Sequence, residues 1–178
     1  MKPIVFVLVA AASMAGVAAH ESPTPGQTPN QTNAPAAAPY VTKMPAGYRD
    51  YRFINVAHEA GGLNSLGAML GNDVAIKAYR AKTLPYPDGT IIAALHYTHS
   101  PNAENNQIFG QAQSFTPGNP TNIQFMIKDS HKYAATGGWG FGTFSPDGKP
   151  APAASMKSCY PCHQREKAHD LVFTQYAP

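Results

Sequence analysis

From about residue 46 onward, the hydrophobic and polar positions read mainly as strand. YRFINVAH (51–58) sets Tyr51, Phe53 and Asn55 against Arg52, Ile54 and Val56. TIIAALHYTH (90–99) is a β-branched apolar run that follows the turn tetrad Tyr86-Pro87-Asp88-Gly89. NIQFMIKD (122–129) alternates with Ile123, Phe125 and Ile127 on one face, and GWGFGTF (138–144) supplies a fourth strand. NQIFGQAQSF (106–115) is a weaker fifth. Helical signals are fewer. One helix is predicted over 73–82, with Asn72 or Asp73 as N-cap and Lys77, Arg80 and Lys82 toward its C-terminal end, where cations suit the dipole. A second carries the cysteines near the C-terminus and continues through QREKAHD. The pattern predicts an α+β domain, mainly antiparallel β-sheet with a few helices.

The first 45 residues follow other rules. Lys2, the apolar run Ile4 to Ala12 and the small residues ending near Ala18 or Ala19 have the layout of a secretory signal peptide (1–19). That run is too short for a stable membrane span. Residues 20–45 are crowded with Pro, Thr, Gln, Asn and Ala, and offer little apolar surface against the entropy of ordering; they read as a flexible tether. Residues 46–178 then make one domain of ordinary size. The leader places that domain in the periplasm. The net charge of +3 is mild, and Lys and Arg form no block or basic–aromatic stripe, so nucleic-acid binding is not indicated.

The chemistry concentrates in SCYPCH, residues 158–163, which holds both cysteines of the chain. Four readings compete. A redox dithiol wants its CxxC at a helix start after a buried parallel strand, and KPAPAASMKS is no such strand. A structural zinc site wants four ligands, and no second cysteine pair exists. A disulfide across two residues closes a tiny loop and stabilises little. The fourth reading, one covalent haem c, uses every residue: Cys159 and Cys162 add to the two vinyl groups of a porphyrin, and His163 serves as proximal iron ligand. The last reading is favoured, and export agrees with it, because covalent attachment keeps the cofactor in place outside the cytoplasm.

In GGWGFGTF, a strand puts Gly138, Gly140 and Gly142 on one face and Trp139, Phe141 and Thr143 on the other. Bare backbone on one face marks a close approach, either by a flat porphyrin or by packed protein. Trp139 and Phe141 are candidates for the cofactor pocket wall.

LGNDVAIKAYR, YPDGTIIAAL, FMIKDSHKYAATGGWGFGTF and CYPCHQREKAHDLVFTQYAP together resemble the cytochrome P-460 and cytochrome c′-beta family over about residues 48–178. The resemblance implies a mostly antiparallel β fold, a five-coordinate c-type haem on Cys159, Cys162 and His163, and frequently a homodimer. The expected partners are a small-molecule ligand or substrate and a redox partner cytochrome. P-460 types oxidise hydroxylamine and carry a lysine–haem link; c′-beta types lack the link and bind gases such as nitric oxide. The linking lysine belongs to a context like I-I-A-K-L, where this chain has Ile91-Ile92-Ala93-Ala94-Leu95, so Ala94 would take its place. Lys77, Lys128 and Lys132 read as solvated surface charges. The alternative function is a six-coordinate electron-transfer cytochrome, for which Met69, Met126, Met156, His58, His96 and His99 are the available sixth ligands.

Overall fold

In the computed structural model, which describes residues 39–177, the strand expected at 51–58 runs Arg52–Glu59 (β1) and breaks its alternation midway. The signal peptide and most of the tether lie outside the described residues. β1 pairs antiparallel with Ser65–Gly71 (β2), and the register slips between Phe53 and Asn55. That bulge leaves Ile54 fully buried, but Val56, which simple alternation would put beside it, is exposed. Past the bulge Ala57 packs against the core and Glu59 lines a cavity. One extra residue has re-aimed the end of the strand.

β2 has no counterpart among the predicted elements. Two glycines and an alanine in SLGAMLG hide its strand character, although burial alternates along all of it. The helix Asp73–Ala81 (α1) follows. Asn72 is its N-cap, accepting from the Ala75 N–H at 3.0 Å, and Lys82 ends it in the left-handed region. Ile91–Pro101 (β3), Phe115–Lys128 (β4) and Trp139–Phe144 (β5) complete an antiparallel sheet in the order β1-β2-β3-β4-β5. β4 begins earlier than the expected 122, despite Pro117 and Pro120. Its first half pairs only with β3, while Ile123–Lys128 pairs with β3 and β5. A proline on an edge segment costs no ladder bond, which is why these are tolerated.

The weak strand expected at 106–115 is instead the end of a helix followed by a turn. Ala103–Phe109 (α2) starts on the Asn102 side chain, which accepts from Asn105 N–H at 2.9 Å, and stops at Gly110, whose φ is 68°. The Asn106 side chain then takes the N–H groups of Gln113 and Ser114. These local caps outweigh a short apolar run. Near the C-terminus come Ala153–Met156 (α3) and Cys159–His163 (α4). The helix expected to run on through QREKAHD tightens into a 3-10 stretch, Gln164–His169, with Glu166 off helical geometry.

The sheet is buried on both faces. Ile54, Met69, Ile92, Met126, Trp139 and Phe141 face α1 and the C-terminal segment. On the opposite face, Ala93, Leu95, Ile123, Phe125, Tyr133 and Phe144 pack with Val41. Val41 comes from the region composition assigns to the tether, yet Tyr40 bridges β5 at Phe141 and Val41 is 5% exposed. The packed domain therefore takes in the end of that stretch.

The glycine face of β5 is covered by protein. A Cβ on Gly140 would run into the Tyr133 ring, and one on Gly142 would lie 2.8 Å from Val41 Cβ. Close packing, one of the two readings of GGWGFGTF, accounts for these glycines. Gly140→Val should cost about 1–3 kcal/mol in chemical denaturation, the usual penalty for overpacking. Gly62→Val, with nothing within 4 Å of its Cβ, should leave the midpoint unmoved. Equal effects at both sites would remove the packing explanation.

Candidate cofactor site

α4 is a five-residue turn whose Pro161 sits where a helix needs no N–H donor. Its Cys162 N–H donates to Ser158 O at 3.3 Å, closing the turn that separates the two thiols. Both cysteines are free, and both line a cavity of about 320 Å³ together with His163. That volume lies within the range of small-molecule and cofactor sites. The sheet supplies an apolar wall of Met69, Ile92, Ala94, Met126 and Phe141, and Phe173 closes it from the C-terminal segment. Burial pushes the Cys159 thiol up from its usual pKa, the reverse of an activated redox dithiol.

His163 is the most constrained side chain of the site. Its Nδ1–H donates to the Leu171 carbonyl at 2.7 Å; since the partner can only accept, the proton is on Nδ1 and Nε2 keeps its lone pair. Phe141 and Phe173 flank the ring, with centroids 5.0 and 4.9 Å away. Burial draws its pKa below the ordinary histidine value, opposed by the Leu171 hydrogen bond. A neutral imidazole with a fixed tautomer is what an iron ligand requires.

The Leu171 carbonyl is itself held in place. Asp170 and Leu171 both have positive φ, 50° and 68°, uncommon for residues other than glycine. The Asp170 carboxylate takes Lys128 Nζ at 2.8 and 2.9 Å and accepts from the Tyr86 N–H at 2.9 Å. Lys128 Nζ also donates to Gly137 O at 3.1 Å and stands 5.0 Å from the Trp139 ring centroid. Lys128 is thus not the solvated charge its sequence suggests. It is 6% exposed, because its strand position points under the Asp170 turn, where a buried carboxylate compensates its charge. Lys77 and Lys132 are exposed as expected.

Of the two aromatic residues expected to wall the pocket, Phe141 does line the cavity. Trp139 shares its face of the sheet but is fully buried beside Tyr86 and under Lys128, away from the cavity wall. Among the six potential sixth ligands, Met69, Met126 and His96 line the cavity. Met156 is buried outside its lining, and His58 and His99 stack on one another at 4.0 Å. Glu59, Gln124 and Thr174 also line it and were not anticipated. Ala94 lies in the wall, and among the described residues no lysine does.

A family model described as Cytochrome P460 matches residues 45–174, well over half the chain. The chain belongs to the cytochrome P460 family. No curated protein matches it at a significant level. Cytochromes P460 bind haem, and the matched residues include the five strands, α4 and Phe173. The site fits that cofactor: two free thiols one helical turn apart, a neutral imidazole with Nε2 unengaged, and an apolar wall face one cavity. Among the described residues, no helix is long and apolar enough to cross a membrane.

Proposed function

We propose that this cytochrome P460 is an exported mono-haem c-type protein with an open ligand site, binding or acting on small nitrogen species such as hydroxylamine and nitric oxide. Cys159 and Cys162 hold the haem through thioethers and His163 is its protein ligand. When bound, haem supplies an iron centre for small-ligand binding and electron exchange. The chain's own residues do the rest. The Leu171 carbonyl fixes the His163 ring, Phe141 and Phe173 flank it, and the apolar wall favours a small uncharged guest.

The observation that carries this reading is the pairing of a single fixed histidine with a cavity whose two methionines are already committed to the core. Met69 and Met126 are 8% and 9% exposed and pack with Ile54, Ile76 and Ile92. Ala94 supports the branch without a lysine link, so gas binding is the primary activity and hydroxylamine turnover is weak. The competing reading, a six-coordinate electron carrier, is favoured only by His96, whose Nε2 has no partner in the protein.

Spectroscopy separates the two. The ferrous protein is expected to be five-coordinate and to bind carbon monoxide and nitric oxide rapidly, with an ordinary c-type Soret band and no haem-bearing peptide joining CYPCH to a lysine. A six-coordinate, low-spin ferrous spectrum that carbon monoxide leaves unchanged would overturn the open-site reading.

A further inference from the structure

A second cavity, of about 640 Å³, is lined by the end of α1, the loop after it and the C-terminal segment. Cys159, Cys162 and His163 take no part in it, and it shares only Phe173 and Thr174 with the cofactor cavity. Its volume suits a small organic molecule. The lining is rich in rings. Tyr79 stands between two other tyrosines, edge-on to Tyr86 with centroids 5.2 Å apart and stacked on Tyr176 at 6.0 Å. The Tyr79 hydroxyl donates to the Thr174 carbonyl at 3.2 Å, which ties α1 to the C-terminal segment and holds the two sides of the cavity together. Ring faces and edges of this kind favour a flat aromatic guest over a flexible chain.

The same cavity carries two cations. Arg80 and Lys82 both line it and both are exposed. Among the described residues, neither has a carboxylate within 4.0 Å. Arg80 Nε donates to the Tyr176 hydroxyl at 3.0 Å, which holds the guanidinium over that ring and leaves its terminal amino groups for a guest. The Tyr176 oxygen, having accepted from Arg80, still has its own O–H to give. Against these donors stands one carboxylate among the described lining residues, Glu166, and His169 Nδ1 engages it. The C-terminal end of α1 opposes an anion only weakly. Its Ala78 carbonyl is already taken by the Lys82 and Thr83 N–H groups. A guanidinium with free amino groups is suited to a carboxylate, which it pairs through two parallel hydrogen bonds.

We infer that this cavity is a second ligand site, separate from the cofactor's, and that it takes a planar aromatic carboxylate. The ring lies among Tyr79, Tyr86 and Phe173, and the carboxylate meets Arg80 and Lys82. An uncharged aromatic leaves the two cations unused, and a flexible fatty acid gains little from the ring walls. The inference goes beyond the proposed function and does not rest on it, since neither the attachment turn nor the iron position takes part.

The test is calorimetric titration of the haem-loaded, full-length protein with 2-naphthoate. The protein is kept ferrous under carbon monoxide, so that the iron offers no position to a carboxylate. One naphthoate should bind per chain, and 2-naphthamide and octanoate should each bind several-fold more weakly. Arg80→Gln should weaken naphthoate about tenfold, the usual effect of losing a hydrogen bond to a charged group, and leave naphthamide unchanged. Thr83→Glu, at an exposed position of the same lining, adds a like charge and should weaken naphthoate further. Lys77→Gln, exposed on α1 but outside the cavity, should change nothing. Absence of naphthoate binding, or equal affinity for naphthamide or octanoate, would overturn the inference. So would binding that survives intact in both Arg80→Gln and Thr83→Glu, because the naphthoate would then lie elsewhere.

Discussion

Replacing Cys159 and Cys162 together by alanine is expected to abolish covalently held haem, the largest single effect available in this protein. The wild-type protein should have an intact mass exceeding its polypeptide by one haem, and its pigment should survive acid–acetone extraction. Either single variant keeps one thiol on the cavity and so retains at most one thioether. The double variant keeps only His163, whose coordination through Nε2 acid protonates and breaks. Its pigment should therefore extract completely. Two facts of the structure support this. Both thiols are free on a single turn of α4, and Cys159 is held as an unactivated thiol by burial, not as the reactive thiolate of a disulfide exchanger. If the wild-type pigment strips in acid–acetone, or the double variant retains it, the attachment assignment fails.

The turn that carries CYPCH was legible because its information is local. C-x-x-C-H is five adjacent residues, and a turn of helix brings them together whatever the rest of the chain does. The same holds for α1, where Asn72 caps as its residue type suggests. What stayed hidden depended on partners distant in sequence. Lys128 sits in a cleanly alternating strand, and nothing near it shows that Asp170 will lie 2.8 Å away. Glu59 faces the cavity only because a bulge follows Phe53, and strict alternation of 51–58 assigns it to the other face. β2 was missed since glycine and alanine carry little strand preference; its pairing with β1 and β3 creates that strand. The glycines of β5 did signal a close approach, but sequence could not say whether Tyr133 or a cofactor makes it. Trp139 shows the same limit: alternation placed it on the cavity's face, while the Asp170 turn decided that it lies beneath Lys128.

The turn at Asp170 and Leu171 is where stability and ligand geometry meet. Two consecutive residues other than glycine hold positive φ there, a conformation that persists only where the surroundings enforce it. The Lys128–Asp170 pair is that enforcement, and the Leu171 carbonyl it positions is the acceptor for His163 Nδ1–H. Asp170→Asn removes the charge that compensates the Lys128 ammonium and leaves it only the neutral amide oxygen and Gly137 O. Breaking one side of a buried pair costs about 3–5 kcal/mol, so the denaturation midpoint should fall steeply. Removing both charges in Lys128→Met/Asp170→Leu should recover much of that loss, because a well-packed apolar pair can replace a buried ion pair. Ligand geometry should not recover with it. Without the carboxylate, the Tyr86 N–H and Lys128 contacts that shape the turn are gone, and the carbonyl loses its aim. The double variant should therefore combine near-native stability with a shifted or broadened iron–histidine stretching band in its ferrous resonance Raman spectrum. Recovery of stability and band together would make the ion pair simple packing, and a loss below about 1 kcal/mol in Asp170→Asn would show that the pair is not effectively buried.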